Sequence, residues 1–246
     1  VGRQVMRAAA EHLTPVTLEL GGKSPAIVGP DADLRESALR IAHGKAFNAG
    51  QICVAPDYAL VPRGKAEAFA AAVADAFTRL YPTVSGNAEY TSIITERHAV
   101  RLRELLADAQ AKGATLLRCG ADAGSGRQMP LTVVTRVEER MQLMQEELFG
   151  PILPVLEYDS LDDAMALVRR GERPLSLYGL GLSAADQARV LKETHAGGVT
   201  FNDWGWHVFQ HDLPFGGIGN SGMGTYHGEE GFRELSHAKG VFKRHR

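Results

Sequence analysis

The chain has 246 residues, 44% of them hydrophobic and 23% charged, with a formal net charge of −2 at pH 7. That is ordinary globular composition, long enough for one large domain or two small ones. No single-sign charge field points to nucleic acid or an anionic membrane surface, and no apolar run approaches membrane-spanning length. The two cysteines, Cys53 and Cys119, form neither a C-x-x-C pair nor a zinc-like cluster. A disulfide framework is therefore not expected, and a reducing, cytoplasmic compartment is. The sequence opens Val1-Gly2-Arg3, without Met or a signal-peptide pattern, and runs straight into helix-like sequence. That is the expectation for a chain cut inside a longer one.

Residues 4–13 read as a helix stopped near Pro15. Residues 16–20 are a short β-prone run that Gly21-Gly22 ends. Residues 33–47 have helical spacing, with Asp31 or Asp33 as N-cap. A strand is expected at 58–61, and an Ala-rich helix at 65–80 ends at Pro82. An amphipathic helix covers 96–112, with strands at 115–118 and 131–134 on either side of the Gly/Ser-rich loop 120–128. Further on come a strand at 152–158, a helix at 161–170, a strand at 176–182, a helix at 184–195 and a strand at 199–202. Strands alternating with helices give an α/β class with a largely parallel sheet flanked by helices. Residues 203–231 are rich in Gly, aromatic residues and His and show little periodicity, as functional loops often do.

Four segments stand out for their chemistry. In Phe47-Asn48-Ala49-Gly50-Gln51-Ile52-Cys53 a helix ends at a Gly and a Cys follows. Such a turn can aim backbone N–H groups at the sulfur, lowering a thiol pKa and holding an oxyanion; a free Cys can equally be a small buried apolar residue. In Leu18-Glu19-Leu20-Gly21-Gly22-Lys23 a lone carboxylate sits in an apolar strand before two glycines that allow close approach of a backbone or ligand. Glu19 is either a base of raised pKa or an edge-strand residue facing water. In Gln145-Glu146-Glu147-Leu148-Phe149-Gly150-Pro151 paired carboxylates could bind a sugar hydroxyl beside a stacking ring, or form a solvated acidic turn. The segment 213–224 is glycine-rich but matches neither the P-loop nor the G-x-G-x-x-G fingerprint, so it reads as a tight backbone crossing.

Taken in order, these segments resemble the aldehyde dehydrogenase superfamily over essentially the whole chain. Residues 18–25 resemble its glutamate signature and 47–53 its cysteine signature, with Glu19 and Cys53 a fitting 34 residues apart. The run 214–228 resembles the class 3-like branch and, within it, bacterial coniferyl aldehyde dehydrogenases. The resemblance implies that Cys53 is the nucleophile, its backbone N–H an oxyanion donor, and Glu19 the base that activates the deacylating water. It implies that Glu147, Phe149 and Gly21 meet the cofactor, NAD or NADP, and that Asn202, Phe215 and Trp206 lie at the substrate end. An aldehyde substrate, aromatic and coniferyl-like if the loop with Trp204, Trp206, His207, Phe209 and His211 lines a pocket, and a homodimer follow from the same resemblance. No metal is implied.

The expected organisation is residues 1–21 as the remnant of a dinucleotide-binding domain, 22–222 as the catalytic domain and 223–246 as a tail. Most of the family's cofactor domain would precede Val1. The chain alone would then bind cofactor poorly, act at most as a thiol esterase, or be an inert, self-associating module; the strand at 16–20 would lack sheet neighbours and expose an edge. Outside the family the runner-up is a cysteine hydrolase, with His207, His211 or His227 as base. Cys119, at a strand end, reads as structural.

Overall fold

Residues 1–245 are described by a computed structural model. Helix α1 spans Gly2–Ala10. It ends earlier than expected because Leu13, at φ 52°, turns the chain out of the helix. Strand β1 is only Leu18–Glu19. β2 (Pro25–Val28) leads into α2 (Leu34–Ala46), whose cap is Asp33: its Oδ1 accepts from the N–H groups of Arg35 and Glu36 at 2.8 and 3.1 Å. β3 (Tyr58–Pro62), α3 (Ala66–Leu80) and α4 (Glu96–Ala111) follow, then β4 (Thr115–Arg118), β5 (Thr132–Thr135) and β6 (Ile152–Tyr158). α5 (Leu161–Arg170), β7 (Ser176–Leu180), α6 (Ala184–Glu193) and β8 (Gly198–Phe201) complete the alternation. The aperiodic region that follows holds three short pieces: α7 (Trp206–Phe209), β9 (Gly222–Met223) and α8 (Gly228–Glu234).

Seven strands form one sheet in the order β4-β5-β6-β3-β2-β7-β8. Every neighbouring pair is parallel except β4 with β5. The α2, α3 and α4 side chains cover one core, and those of α5 and α6 a second around Leu60, Leu156 and Leu177. β2 had no counterpart among the expected elements. Its four residues are buried, as a central parallel strand covered on both faces must be, and Pro25 is tolerated because it opens the strand.

The expected strand at 16–20 is corrected in two ways. Only two residues pair, and they do have a neighbour: Leu18 faces Met223 and Glu19 faces Gly222 in an antiparallel ribbon with β9. Leu20 N donates to Ser221 O at 3.0 Å to extend it. The glycine-rich segment is thus the backbone crossing its composition suggested. A Cβ on Gly217 would lie 2.1 Å from Ser221 O.

The parallel strands begin at 25, 58, 132, 152, 176 and 198. The segments immediately before those at 25, 58, 152 and 176 therefore converge on one edge of the sheet, at the amino ends of the strands. Three of them are the glutamate, cysteine and Glu147 segments.

Gly222 sits at φ +149°, and a Cβ there would come within 2.1 Å of Leu18 O. Gly222→Ala is expected to cost about 2 kcal/mol or more, lowering the thermal midpoint by roughly 4–8 °C for a chain of this size. An unchanged melting curve would show that the ribbon is not held this closely.

Candidate active site

The turn that presents Cys53 is unusual backbone. Asn48 (φ 50°, ψ 31°) and Ala49 (φ 51°, ψ 36°) are left-handed, and so is Gly50 at φ 71°. For Ala this costs about 1–2 kcal/mol, so the surroundings must enforce it. They do. Asn48 Nδ2 donates to Gln51 O at 3.0 Å and Gln51 Nε2 donates to Asn48 O at 3.1 Å. Gly50 is pressed so closely on Gly150 that a Cβ would meet Gly150 O at 2.5 Å. That contact sets the cysteine turn against the Glu147 segment. Tyr178 O–H donates to Val54 O, fixing the residue after the thiol from β7.

Cys53 is half-buried, packed in a cluster with Ile52, Val54, Leu175, Val208, Phe215 and Tyr226. Its thiol is pushed up to about 12, first by burial, then by hydrogen bonding to Glu19 and by the charges of Glu19 and Glu147. The sequence expectation of a lowered thiol pKa is corrected here. The Cys53 backbone N–H does pull downward, but burial and two carboxylates outweigh it. Burial and the two carboxylates together favour the protonated thiol.

Glu19 is exposed on its face of the ribbon, and Tyr226 O–H donates to its Oε2 at 3.2 Å. Tyr226 itself is held by a two-way backbone bridge to Phe215, at 2.8 Å in each direction. Sequence reasoning assigned Tyr226 no role; nothing in its local spacing signals the contact, which joins positions 207 residues apart.

Glu147 is largely buried, and its carboxyl is pushed up to about 7, mostly by burial. The Gly22 N–H donates to it and pulls the other way, as do Lys45 and Lys23, while Asp57 adds to the upward push. Gly21, at φ +93°, leaves the room: a Cβ there would lie 2.8 Å from Glu147 Oε1. Phe149 is partly buried with φ 49°. Its C=O is 2.8 Å from His98 Nε2, and its ring lies 6.4 Å from that imidazole. Arg101 donates to Glu147 O at 2.8 Å and Leu148 O at 3.0 Å. The carboxylate-bearing segment is thus gripped from α4.

Beneath these residues, Lys23 Nζ donates to Asp57, to Leu143 O at 2.8 Å and to Glu146 O at 3.0 Å. Asp57 Oδ2 accepts from Leu148 N at 2.9 Å.

The expected substrate residues separate. Phe215 joins the Cys53 cluster. Asn202 does not: it follows β8, at the carboxyl ends of the strands, where its Oδ1 accepts from Gly181 N at 2.9 Å and its N–H donates to Gly179 O at 2.7 Å. Its amide oxygen braces a loop on the far edge from Cys53. Trp206 is 59% exposed, with Nε1 donating to Asp203 Oδ2 at 2.7 Å and its ring 6.1 Å from Phe209. Trp204 is buried, donating to His43 Nδ1 at 2.9 Å with its ring 6.0 Å from Phe47.

None of the candidate histidine bases hydrogen-bonds Cys53 among the described residues. His207 is buried between Ser176 Oγ at 2.9 Å and Thr200 Oγ1 at 2.7 Å, and burial lowers its pKa to about 4. His227 stacks on Phe215 with centroids 5.6 Å apart, and His211 lies 5.2 Å from His227. The partner of the thiol is Glu19. Cys119 is buried, as a structural residue would be.

A family model described as "Aldehyde dehydrogenase family" matches residues 1–241. The chain belongs to the aldehyde dehydrogenase family. It is 54% identical to a "Probable coniferyl aldehyde dehydrogenase" of Pseudomonas aeruginosa, over all of this chain and 52% of that protein. It is 40% identical to the "Aldehyde dehydrogenase, dimeric NADP-preferring" of Canis lupus familiaris, over 99% of this chain and 53% of that one. Among solved structures, the "Substrate bound state of Staphylococcus Aureus AldH" superposes with a TM-score of 0.89 at 39% identity, covering 100% of this chain and 53% of the other. The chain spans about half the length of the curated relatives it matches.

Because Glu19 raises the Cys53 pKa both by hydrogen bonding and by charge, removing its charge must lower it. In Glu19→Gln, iodoacetamide labelling of Cys53 at about pH 9, near the ordinary thiol value, is expected to speed up several-fold, with the pH profile displaced downward. An unmoved profile would show that Glu19 does not act on the thiol.

Proposed function

We propose that this chain is the catalytic half of a nicotinamide-dependent dehydrogenase that oxidises an aldehyde to a carboxylic acid through a cysteine thioester. The observation that carries the reading is the meeting of Cys53 and Glu19, with Glu147 lodged against Gly21 and Gly22, at one edge of the sheet.

In this reading the Cys53 thiol gives up its proton as its sulfur bonds to the aldehyde carbon, making a thiohemiacetal. Glu19, already the thiol's partner, is placed to take that proton. The developing oxyanion is stabilised by the Cys53 backbone N–H. The Gly21–Glu147 arrangement fits a ribose diol: a carboxylate faces a surface kept free of any side chain, and Phe149 stands in the same segment. Held by Glu147 beside the open Gly21 surface, NAD or NADP would supply the acceptor for the hydride of the aldehyde carbon. Glu19, exposed on its ribbon, passes that first proton to solvent. Water then attacks the Cys53 thioester, Glu19 takes the water proton and returns it to the departing sulfur as the carboxylic acid forms, and Tyr226 steadies the Glu19 carboxylate. The Cys53–Glu19 steps need no cofactor, so thiol esterase activity belongs to the same reading.

An aromatic, coniferyl-type aldehyde is proposed because Phe47, Trp206 and Phe209 are 49, 59 and 47% exposed, an apolar rim in the half of the protein that carries the thiol. The name of the Pseudomonas aeruginosa relative supports it. The name of the canine relative supports a homodimer and leaves NADP beside NAD. Residues 1–21 are taken as part of a dinucleotide-binding unit, 22–222 as the catalytic unit and 223–246 as its tail. A cytoplasmic setting suits two unpaired cysteines.

In a protein carrying this chain together with a cofactor-binding half, Cys53→Ala is expected to abolish aldehyde-dependent reduction of the cofactor. Coniferaldehyde and benzaldehyde should turn over at least as fast as medium-chain aliphatic aldehydes. Normal turnover in Cys53→Ala would overturn the mechanism, and a strong aliphatic preference would overturn the substrate class alone.

A further inference from the structure

His207 takes no part in the chemistry above, yet three hydrogen bonds converge on it. It lies buried in α7, between Trp206 and Val208. Its Nε2 is 2.9 Å from Ser176 Oγ on β7, and its Nδ1 is 2.7 Å from Thr200 Oγ1 on β8. Its backbone N–H also donates to Thr200 Oγ1, at 3.2 Å. Gly198 makes the room: a Cβ there would lie 2.3 Å from the imidazole Cδ2. A helix of four residues does not hold itself, because one turn costs more to nucleate than its few bonds return. The backbone bonds at α7 run from Val208 and Phe209 to Gly205 O and from Gln210 to Trp206 O. The exposed side chains of Trp206 and Phe209 find Asp203 and Trp204, which belong to the same loop. Among the described residues, the hydrogen bonds that tie α7 to the sheet are those of His207.

We propose that His207 is a positioning residue: through Ser176 and Thr200 it pins α7 to β7 and β8, and so fixes the exposed rings of Trp206 and Phe209 relative to Cys53. The same imidazole packs on both aromatic supports of the thiol. Its ring is 6.1 Å from that of Tyr178, whose O–H holds Val54 O. It is 6.2 Å from that of Phe215, which joins the Cys53 cluster together with Val208 of α7. A neutral imidazole suits the place. One ring nitrogen donates, the other accepts, and a hydroxyl can do either, so both bonds form with no charge in the interior. Burial lowers the pKa of His207 to about 4, which keeps the ring neutral at pH 7. The role rests on the aromatic-aldehyde reading proposed above. A substrate ring gains most from a rim that is already ordered, since a loose α7 has to be ordered at each binding event.

Hydrogen–deuterium exchange on the chain reads the pin without substrate. In His207→Phe, which keeps a ring and removes both side-chain bonds, the amides of Val208, Phe209 and Gln210 are expected to exchange about tenfold faster, while those of β2 and β3 keep their rates. Ser176→Ala combined with Thr200→Val removes both anchors and leaves His207 in place. The same acceleration is expected there, which keeps the test decisive if His207→Phe does not fold. Unmoved α7 amides in a folded variant overturn the proposal. In a protein carrying this chain together with a cofactor-binding half, the ratio of KM for benzaldehyde to KM for a short aliphatic aldehyde is expected to rise about tenfold in the same variants. A merely structural defect would lower kcat for both aldehydes and leave that ratio where it was, and an unmoved ratio overturns the proposal. A parent enzyme that itself prefers aliphatic aldehydes would sink the aromatic reading alone, while the exchange rates still decide the pin.

Discussion

The Lys23–Asp57 pair is the contact on which the site depends. Lys23 closes the glutamate segment and Asp57 follows the cysteine segment. Between them they also bond Leu143 O, Glu146 O and Leu148 N of the Glu147 segment. One ammonium and one carboxylate thus hold together three stretches that are far apart in sequence. The Asp57 side chain is 3% exposed and that of Lys23 17%. Removing either partner would strand a buried charge at about 3–5 kcal/mol, and the three segments would lose their common anchor.

That anchor stands at the amino ends of the parallel strands. Open α/β sheets more commonly bind ligands at the carboxyl ends. Here the carboxyl end at β8 is closed by Asn202, whose side chain braces the Gly181 loop. The amino end is open because segments rich in positive-φ residues precede the strands: Gly21 and Gly22, Asn48 to Gly50, and Phe149. Each such residue costs backbone energy or demands glycine. Together they bring a thiol, its carboxylate partner and a second carboxylate to one place.

Much of this was legible in the sequence. The alternation of strand and helix gave the sheet class. Asp33 capped its helix as its position suggested, and the order of the glutamate, cysteine and Glu147 segments foretold that they belong together. What stayed hidden has physical reasons. β2 is a four-residue apolar run opened by Pro25, too short for periodicity to separate from a turn. The sign of the Cys53 shift depends on burial and on carboxylates that arrive from other elements, and a local reading of the turn supplies only the weaker, opposing backbone effect. Asn202 closes an expected strand, and only the parallel register shows that it follows β8 at the end opposite the cysteine segment. Tyr226 gains its meaning from Glu19, 207 residues away.

The central claim is that Cys53 and Glu19 act as nucleophile and base on one bound acyl group. Its most direct test is mass spectrometry of the chain quenched during p-nitrophenyl acetate hydrolysis. An acetyl group on the Cys53 peptide is expected to be fleeting in the parent chain and to accumulate in Glu19→Gln, where water is no longer activated. Acetylation elsewhere with none on Cys53, or a Cys53 acetyl that clears as fast in Glu19→Gln as in the parent, would contradict it.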